Sequence, residues 1–183
     1  MNTPNKLTIL RVVLVPVFLA FMLAIPKNSA CITISLVVFI IASLTDTLDG
    51  HIARKKGLVT TFGKFMDPLA DKVLTTVAYL GLLSMGRASV WAIMLILARE
   101  YMVSGVRLVA AGSGTIIAAS IWGKVKTVFQ MISIIVAFLV MYPLCPEETG
   151  ILITHILVWA SAIITVISGV DYLMKNTAVF KDL

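Results

Sequence analysis

The segment Asn28 to Arg54 reads NSACITISLVVFIIASLTDTLDGHIAR: eighteen uncharged residues, Asn28 to Thr45, that run directly into Asp46, Asp49 and Arg54. A helix needs about 20 largely apolar residues to cross a bilayer, so this segment spans if the polar turn that follows it sits at the interface. The rest of the chain has the same character. Of 183 residues, 60% are hydrophobic and only 13% charged, and the mean hydropathy is +1.03. Soluble chains are about 45–50% apolar and about 25% charged. A water-soluble globule is excluded, because there is too little charge to coat it. Disorder is excluded too, because so apolar a chain has abundant surface to bury.

Uncharged stretches recur at Val12 to Ile25, Asn28 to Thr45, Val73 to Gly86, Ala88 to Ala98, Thr127 to Pro146 and Thr149 to Val170. They predict an all-α, polytopic membrane protein of six transmembrane helices in a single domain, residues 1–183. Six spans would occupy roughly 120 residues and leave little for an extramembrane domain. The fourth helix carries Arg99, Glu100 and Arg107, which must face a bundle interior or a water-filled cavity and not lipid.

The basic residues set the orientation. The net charge of +6 comes from 15 Lys/Arg against nine Asp/Glu. In a chain this apolar it marks basic loops, and nucleic acid is not expected as a partner. Links near Lys27 and Arg87 hold one cation each and the Cys145 to Glu148 link none. Lys6, Arg11, Arg54, Lys55, Lys56, Lys64, Lys124, Lys126, Lys175 and Lys181 gather on the other face. That face, with both termini, is expected to be cytoplasmic. Pro26, Gly86 and Pro143 to Pro146 punctuate the outer turns. The N-terminal apolar run is read as a retained span, not a signal peptide.

The acids are more informative still. Asp46, Asp49, Asp67 and Asp71, four of the nine carboxylates, fall within 26 residues. The first two are three apart and the last two four apart, so each pair shares a helix face. With only Arg54 to Phe62 between the two segments, an antiparallel hairpin can bring the pairs together. Converging carboxylates repel and would take up protons unless a cation compensates them. All-oxygen ligation without His or Cys favours Mg²⁺, or Mn²⁺, over zinc. Four carboxylates suit two such ions, and a two-metal clamp suits displacement at phosphorus. Gly50 and Ala53 lie on the Asp46/Asp49 face and Gly63 one turn before Asp67, where small residues let a ligand approach the backbone.

Asp46-Thr-Leu-Asp49-Gly50-His-Ile-Ala53-Arg54, eight residues, then Gly63-Lys-Phe-Met-Asp67-Pro-Leu-Ala-Asp71 resembles without departure the signature of the CDP-alcohol phosphatidyltransferases. The resemblance extends to Pro4-Asn5, Leu7-Thr8, Arg11, Ala98-Arg99-Glu100, Arg107 and Gly123 to Thr127. It implies a homodimer of six-span subunits in the cell (inner) membrane, each with a cytoplasm-facing cavity that admits CDP-diacylglycerol from the inner leaflet. It implies that Asp46, Asp49, Asp67 and Asp71 bind the metals, Asp71 also acting as general base. Gly50, Ala53, Arg54 and Gly63 would shape or contact the CDP pocket. Asn5 and Thr8 are further CDP-lipid-binding candidates, although the apolar residues around them, with Lys6 and Arg11, suit an interfacial lead-in that touches lipid headgroups.

The acceptor implied by the resemblance is sn-glycerol 3-phosphate, its pocket formed by Arg99, Arg107, Lys124 and Lys126. A phosphomonoester carries nearly two negative charges, which guanidinium groups bind bidentately. The cations argue against free serine as acceptor but do not separate glycerol phosphate from inositol phosphate. Glu100 is expected to pair with one of them. A divalent-cation transporter is the rival from another class, but transport favours carboxylates at mid-bilayer. Cys31, Cys145 and His155 are read as packing residues, and His51 as a polar interfacial one.

Overall fold

The computed structural model describes the backbone of residues 3–25, 29–56, 61–112, 120–142 and 145–176, and the side chains of 13–25, 29–45, 72–108, 110, 120–142 and 145–176. Six helices follow in order: α1 (Thr3–Ala24), α2 (Ala30–Lys56), α3 (Thr61–Ser84), α4 (Val90–Gly112), α5 (Ile121–Leu139) and α6 (Glu147–Lys175). Among the described residues there is no strand. The protein is all-helical, as the apolar stretches predict.

The helices outrun those stretches. α2 has 27 residues, about 40 Å at 1.5 Å per residue, so its last eleven, Asp46 to Lys56, continue the helix beyond the apolar part. α3 begins at Thr61. Both acid pairs are therefore helical, and the link between the helices is residues 57–60, shorter than the Arg54 to Phe62 spacing suggests. α5 starts at Ile121, capped by Ser120, whose Oγ accepts the Gly123 N–H at 3.1 Å. That cap draws Lys124 and Lys126 into the first turns of the helix.

The chain separates into two compact units, residues 1–81 and 82–183. In the first, α1 packs on α2. Phe18 and Phe39, both fully buried, meet with ring centroids 5.8 Å apart. Gly81 of α3 faces Met22 of α1, and a Cβ there would press on the Met22 thioether, which would have to shift to admit it. Just before the acid motif, the Ser43 and Thr45 hydroxyls donate to the carbonyls of Phe39 (2.8 Å) and Ile41 (3.0 Å), satisfying themselves within α2.

In the second unit α6 packs on both α4 and α5. Gly86, at φ +70°, ends α3: its N–H bonds Leu83 O and the Arg87 N–H bonds Leu82 O, each at 2.9 Å. This is the glycine-terminated helix end expected of that turn. α5 runs antiparallel to α6, with Gln130 beside Thr165 at one level and Val140 beside Gly150 at another. α4 runs parallel to α6, Arg99 meeting Ser168 and Arg107 meeting Tyr172.

In this unit small polar side chains share the interior with apolar ones, and aliphatic side chains also cover the outside. Ser133, Thr154, Ser161, Thr165 and Ser168 are buried, whereas Ile121, Val128, Leu152, Ile156, Ile163 and Met174 are exposed. Small hydroxyl residues let helix backbones come close, and exposed aliphatic side chains are stable against hydrocarbon. α5 and α6 are long and apolar enough to cross a bilayer; the apolar parts of the first three helices, Val13–Ala24, Ala30–Thr45 and Lys72–Ser84, are shorter among the described residues. His155 bonds the Ile151 carbonyl through Nδ1 at 3.1 Å, and Cys31 and Cys145 are unpaired thiols, in keeping with packing roles.

Candidate active site

Asp46, Asp49, Gly50, Ala53 and Arg54 lie on the last turns of α2, and Gly63, Asp67 and Asp71 on the first turns of α3. Asn5, Thr8 and Arg11 lie on the first turns of α1. The side chains of all these residues, and of His51, fall outside the described ones. What the backbone supplies is the register. Because α2 runs unbroken to Lys56 and α3 from Thr61, spacings of three and four place each acid pair on one helix face. A donor set made only of carboxylates, arranged in pairs on two helix ends, fits a hard divalent ion. Among the described side chains no group of three or more His, Cys, Asp or Glu gathers.

The predicted cations are described in detail, and they lie in the second unit. Arg99 and Lys126 are buried, at 8% and 7% exposure. Glu100 joins them: the Lys126 Nζ donates to Glu100 Oε1, and the Arg99 Nη1 lies 3.6 Å from the same oxygen. The pairing expected of Glu100 is thus present, with two partners. A buried charge costs several kcal/mol unless paired and hydrogen-bonded. Here one carboxylate offsets part of two cations, and the Arg99 Nη2 donates to Ser168 Oγ at 2.7 Å. The second guanidinium, Arg107, lies over the Tyr172 ring at 5.4 Å from the centroid, a cation–π geometry. Arg107 and Lys124 are exposed. Arg99, Lys126 and Arg107 against Glu100 leave a net positive charge where α5 and the C-terminal part of α6 meet α4.

Sequence reasoning missed the α6 side of this seam. Ser168 anchors Arg99, and Gly169 makes room for it: a Cβ on Gly169 would stand 2.8 Å from Arg99 Cγ, near the root of the side chain, where it cannot swing aside. Gln130 Nε2 donates to Thr165 Oγ1 at 3.1 Å one turn away. The signal was present in α6 as Ser161, Thr165, Ser168, Gly169 and Tyr172, a small and polar stripe at helical spacing on an otherwise apolar helix. Several polar atoms along the seam, among them Arg99 Nε, Ser161 Oγ and Tyr172 Oη, are buried without a hydrogen-bond partner among the described residues.

The model of the CDP-alcohol phosphatidyltransferase family matches residues 1–167. The chain belongs to that family. Among curated phosphatidyltransferases, CDP-diacylglycerol–glycerol-3-phosphate 3-phosphatidyltransferase of Bacillus subtilis (strain 168) is 40% identical over 190 residues, covering 98% of this chain and 97% of its own. The proteins of the same name from Rickettsia felis and Haemophilus influenzae are each 38% identical, covering 93% and 94% of this chain and 93% and 91% of theirs. Among solved structures, apo phosphatidylinositol phosphate synthase of Mycobacterium tuberculosis superimposes with a TM-score of 0.65 at 22% identity, covering 94% of this chain and 88% of that one. At that identity the likeness is one of fold. Phosphatidyltransferases of this family are generally divalent-metal dependent, in keeping with the carboxylate-only donor set.

Proposed function

We infer that this protein transfers the phosphatidyl group of CDP-diacylglycerol to sn-glycerol 3-phosphate, giving phosphatidylglycerophosphate and CMP in phospholipid biosynthesis. The observation that carries this reading is identity of about 40% along nearly the whole chain to enzymes named for that reaction, together with an undeparted acid motif between residues 46 and 71. It is an integral membrane enzyme. We read it as one membrane domain of six spans, working as a homodimer in the cell membrane, with both termini and the catalytic cavity on the cytoplasmic side.

Asp46, Asp49, Asp67 and Asp71 would hold two Mg²⁺ or Mn²⁺ ions. When bound, those ions supply the positive charge that neutralises a pyrophosphate and stabilises CMP as a leaving group. Gly50, Ala53, Arg54 and Gly63 would admit the CDP moiety, with Asn5 and Thr8 near the lipid headgroup. Asp71 accepts the proton of the C1 hydroxyl as that oxygen bonds to the phosphorus bearing diacylglycerol. The bond from that phosphorus to the bridging oxygen breaks, and CMP leaves with the electron pair. Arg99, Arg107, Lys124 and Lys126 hold the acceptor's phosphomonoester. Lys126 and Arg99, fixed on Glu100, give the pocket its shape, while exposed Arg107 and Lys124 meet an entering anion first.

The test is CMP release from CDP-diacylglycerol by the purified protein in detergent with Mg²⁺, offered sn-glycerol 3-phosphate, inositol phosphate or serine in turn. Release with glycerol 3-phosphate alone is expected. Release with inositol phosphate in its place would reassign the acceptor, and no release with any alcohol would overturn the reading.

A further inference from the structure

We propose that Gln130 and Thr165 are positioning residues for the reaction: without touching substrate, the hydrogen bond between them sets how far Lys126 stands from Arg99. The inference rests on the acceptor reading above and adds to it a pair that belongs neither to the acid motif nor to the cations. Gln130 Nε2 donates to Thr165 Oγ1 at 3.1 Å, across 35 positions, and the two residues are 4% and 0% exposed. The bond completes a triangle. Arg99 joins α4 to α6 through Ser168, and Glu100 joins α4 to α5 through Lys126. Gln130 and Thr165 join α5 to α6. Because those two helices are antiparallel, stepping from Gln130 back to Lys126 and from Thr165 on to Ser168 moves about one turn in the same direction, so Lys126 is level with Ser168. Each helix is thus tied to both others within about a turn of the bundle.

The third side supplies a constraint that the Lys126–Glu100 side lacks. An ammonium is a compact charge with three rotatable donors on a flexible stem, so that pair survives a slide of α5 along its axis by a fraction of a turn. The bond from amide to hydroxyl does not, since it weakens steeply once its distance or angle departs from the optimum. One turn deeper the same register sets Ser133 level with Ser161, and both are buried with hydroxyls that bond nothing among the described residues. Small side chains let two helices close up but do little to fix one along the other. A shift of α5 would carry Lys126 with it and, through the Glu100 oxygen that both cations approach, pull on Arg99. Whether two charged groups stand at the spacing an anion's oxygens require depends on such supporting contacts.

Thr165→Val and Gln130→Leu nearly keep the side-chain volume and remove the bond. Each should raise the KM for sn-glycerol 3-phosphate about fivefold, the net worth of one hydrogen bond, and leave the KM for CDP-diacylglycerol within about twofold of the wild type. The double variant should show about the same rise as either single one, because a pair acting as a unit is lost only once. Thr165→Ser keeps the hydroxyl and should restore the wild-type KM. Ser133→Ala removes a buried hydroxyl from α5 without breaking a bond, and should leave that KM unchanged. Should Gln130→Leu fail to fold, Thr165→Val against Thr165→Ser decides alone. An unchanged KM for glycerol 3-phosphate overturns the proposal, whatever the melting temperature does, since the bond would then serve the fold only. So do equal changes for the two substrates, effects that multiply in the double variant, or a rise in Ser133→Ala as large as in Thr165→Val. Failure of the wild-type protein to use glycerol 3-phosphate is a different result and removes the acceptor reading itself.

Discussion

The acid motif of α2 and α3 and the cation seam of α4, α5 and α6 are built in opposite ways. All four acids come from 26 consecutive residues and rely on helix register alone. The cation seam joins Arg99 to Ser168, 69 positions away, and Glu100 to Lys126, 26 away. One is a local device on two successive helices; the other exists only after three helices have packed. Substitutions in the acids should therefore act on chemistry with little effect on folding. Substitutions in the seam should act on acceptor binding and stability together, because the residues that orient the phosphate also lock the helices.

The largest effect expected is that of Asp71→Asn. Removing a general base lowers turnover by about 10² to 10⁴. CDP-diacylglycerol binding by equilibrium dialysis should persist, and near-normal turnover would remove Asp71 as the base. Next is Arg99→Ala, which strips Glu100 and Ser168 of a partner. It should raise the KM for glycerol 3-phosphate about 100-fold, the equivalent of about 2–3 kcal/mol for a charge-assisted contact, and lower the melting temperature as well. Equal effects on both substrates would break the contrast between the two regions.

Gly169→Ala sharpens it, since one methyl group placed 2.8 Å from Arg99 Cγ displaces the guanidinium without touching its charge. An overpacking cost of about 1–3 kcal/mol should appear in thermal unfolding. The KM for glycerol 3-phosphate should rise by roughly half as much, in logarithmic terms, as in Arg99→Ala. A silent Gly169→Ala would mean that Arg99 has other room. The smallest effect belongs to Glu147→Ala at the far end of the second unit. Its pair with Arg87 spans 3.9 Å and its side chain is 81% exposed, so its loss should change neither KM and should leave thermal unfolding unchanged within error.

Much of this was legible in the sequence, and the gaps have physical reasons. Hydropathy reports where a chain prefers lipid, not where its helices end. The run Asn28 to Thr45 stops at Asp46, but Asp46 to Lys56 holds no proline and a single glycine, Gly50, which the helix tolerates, and a second glycine, Gly57, follows its last residue. Likewise Thr127 begins the apolar run of α5, while Ser120 caps the helix and carries Lys124 and Lys126 inside it. The acid pairs could be read because their partners are neighbours in sequence. Arg99 could be recognised as a buried charge by its apolar N-terminal flank. Its anchors, Ser168 and Gly169, could not, since a serine and a glycine in an apolar helix acquire meaning only when α4 is laid parallel against α6. Tyr172 belongs with them: at the sequence level it is an aromatic near a helix end, and only its burial and its place beneath Arg107 set it apart.

The central claim is that the α2/α3 carboxylates work with divalent ions on a reaction whose second substrate is a phosphorylated alcohol. The most direct test measures CMP release by EDTA-stripped wild-type protein and its Asp67→Asn variant in detergent, with CDP-diacylglycerol and sn-glycerol 3-phosphate, as Mg²⁺ or Mn²⁺ is restored. Wild-type activity should return with either ion and require the phosphorylated acceptor, while the variant stays inactive at concentrations that saturate the wild type. CMP release that survives EDTA, or that is equal in the two proteins, would contradict the account.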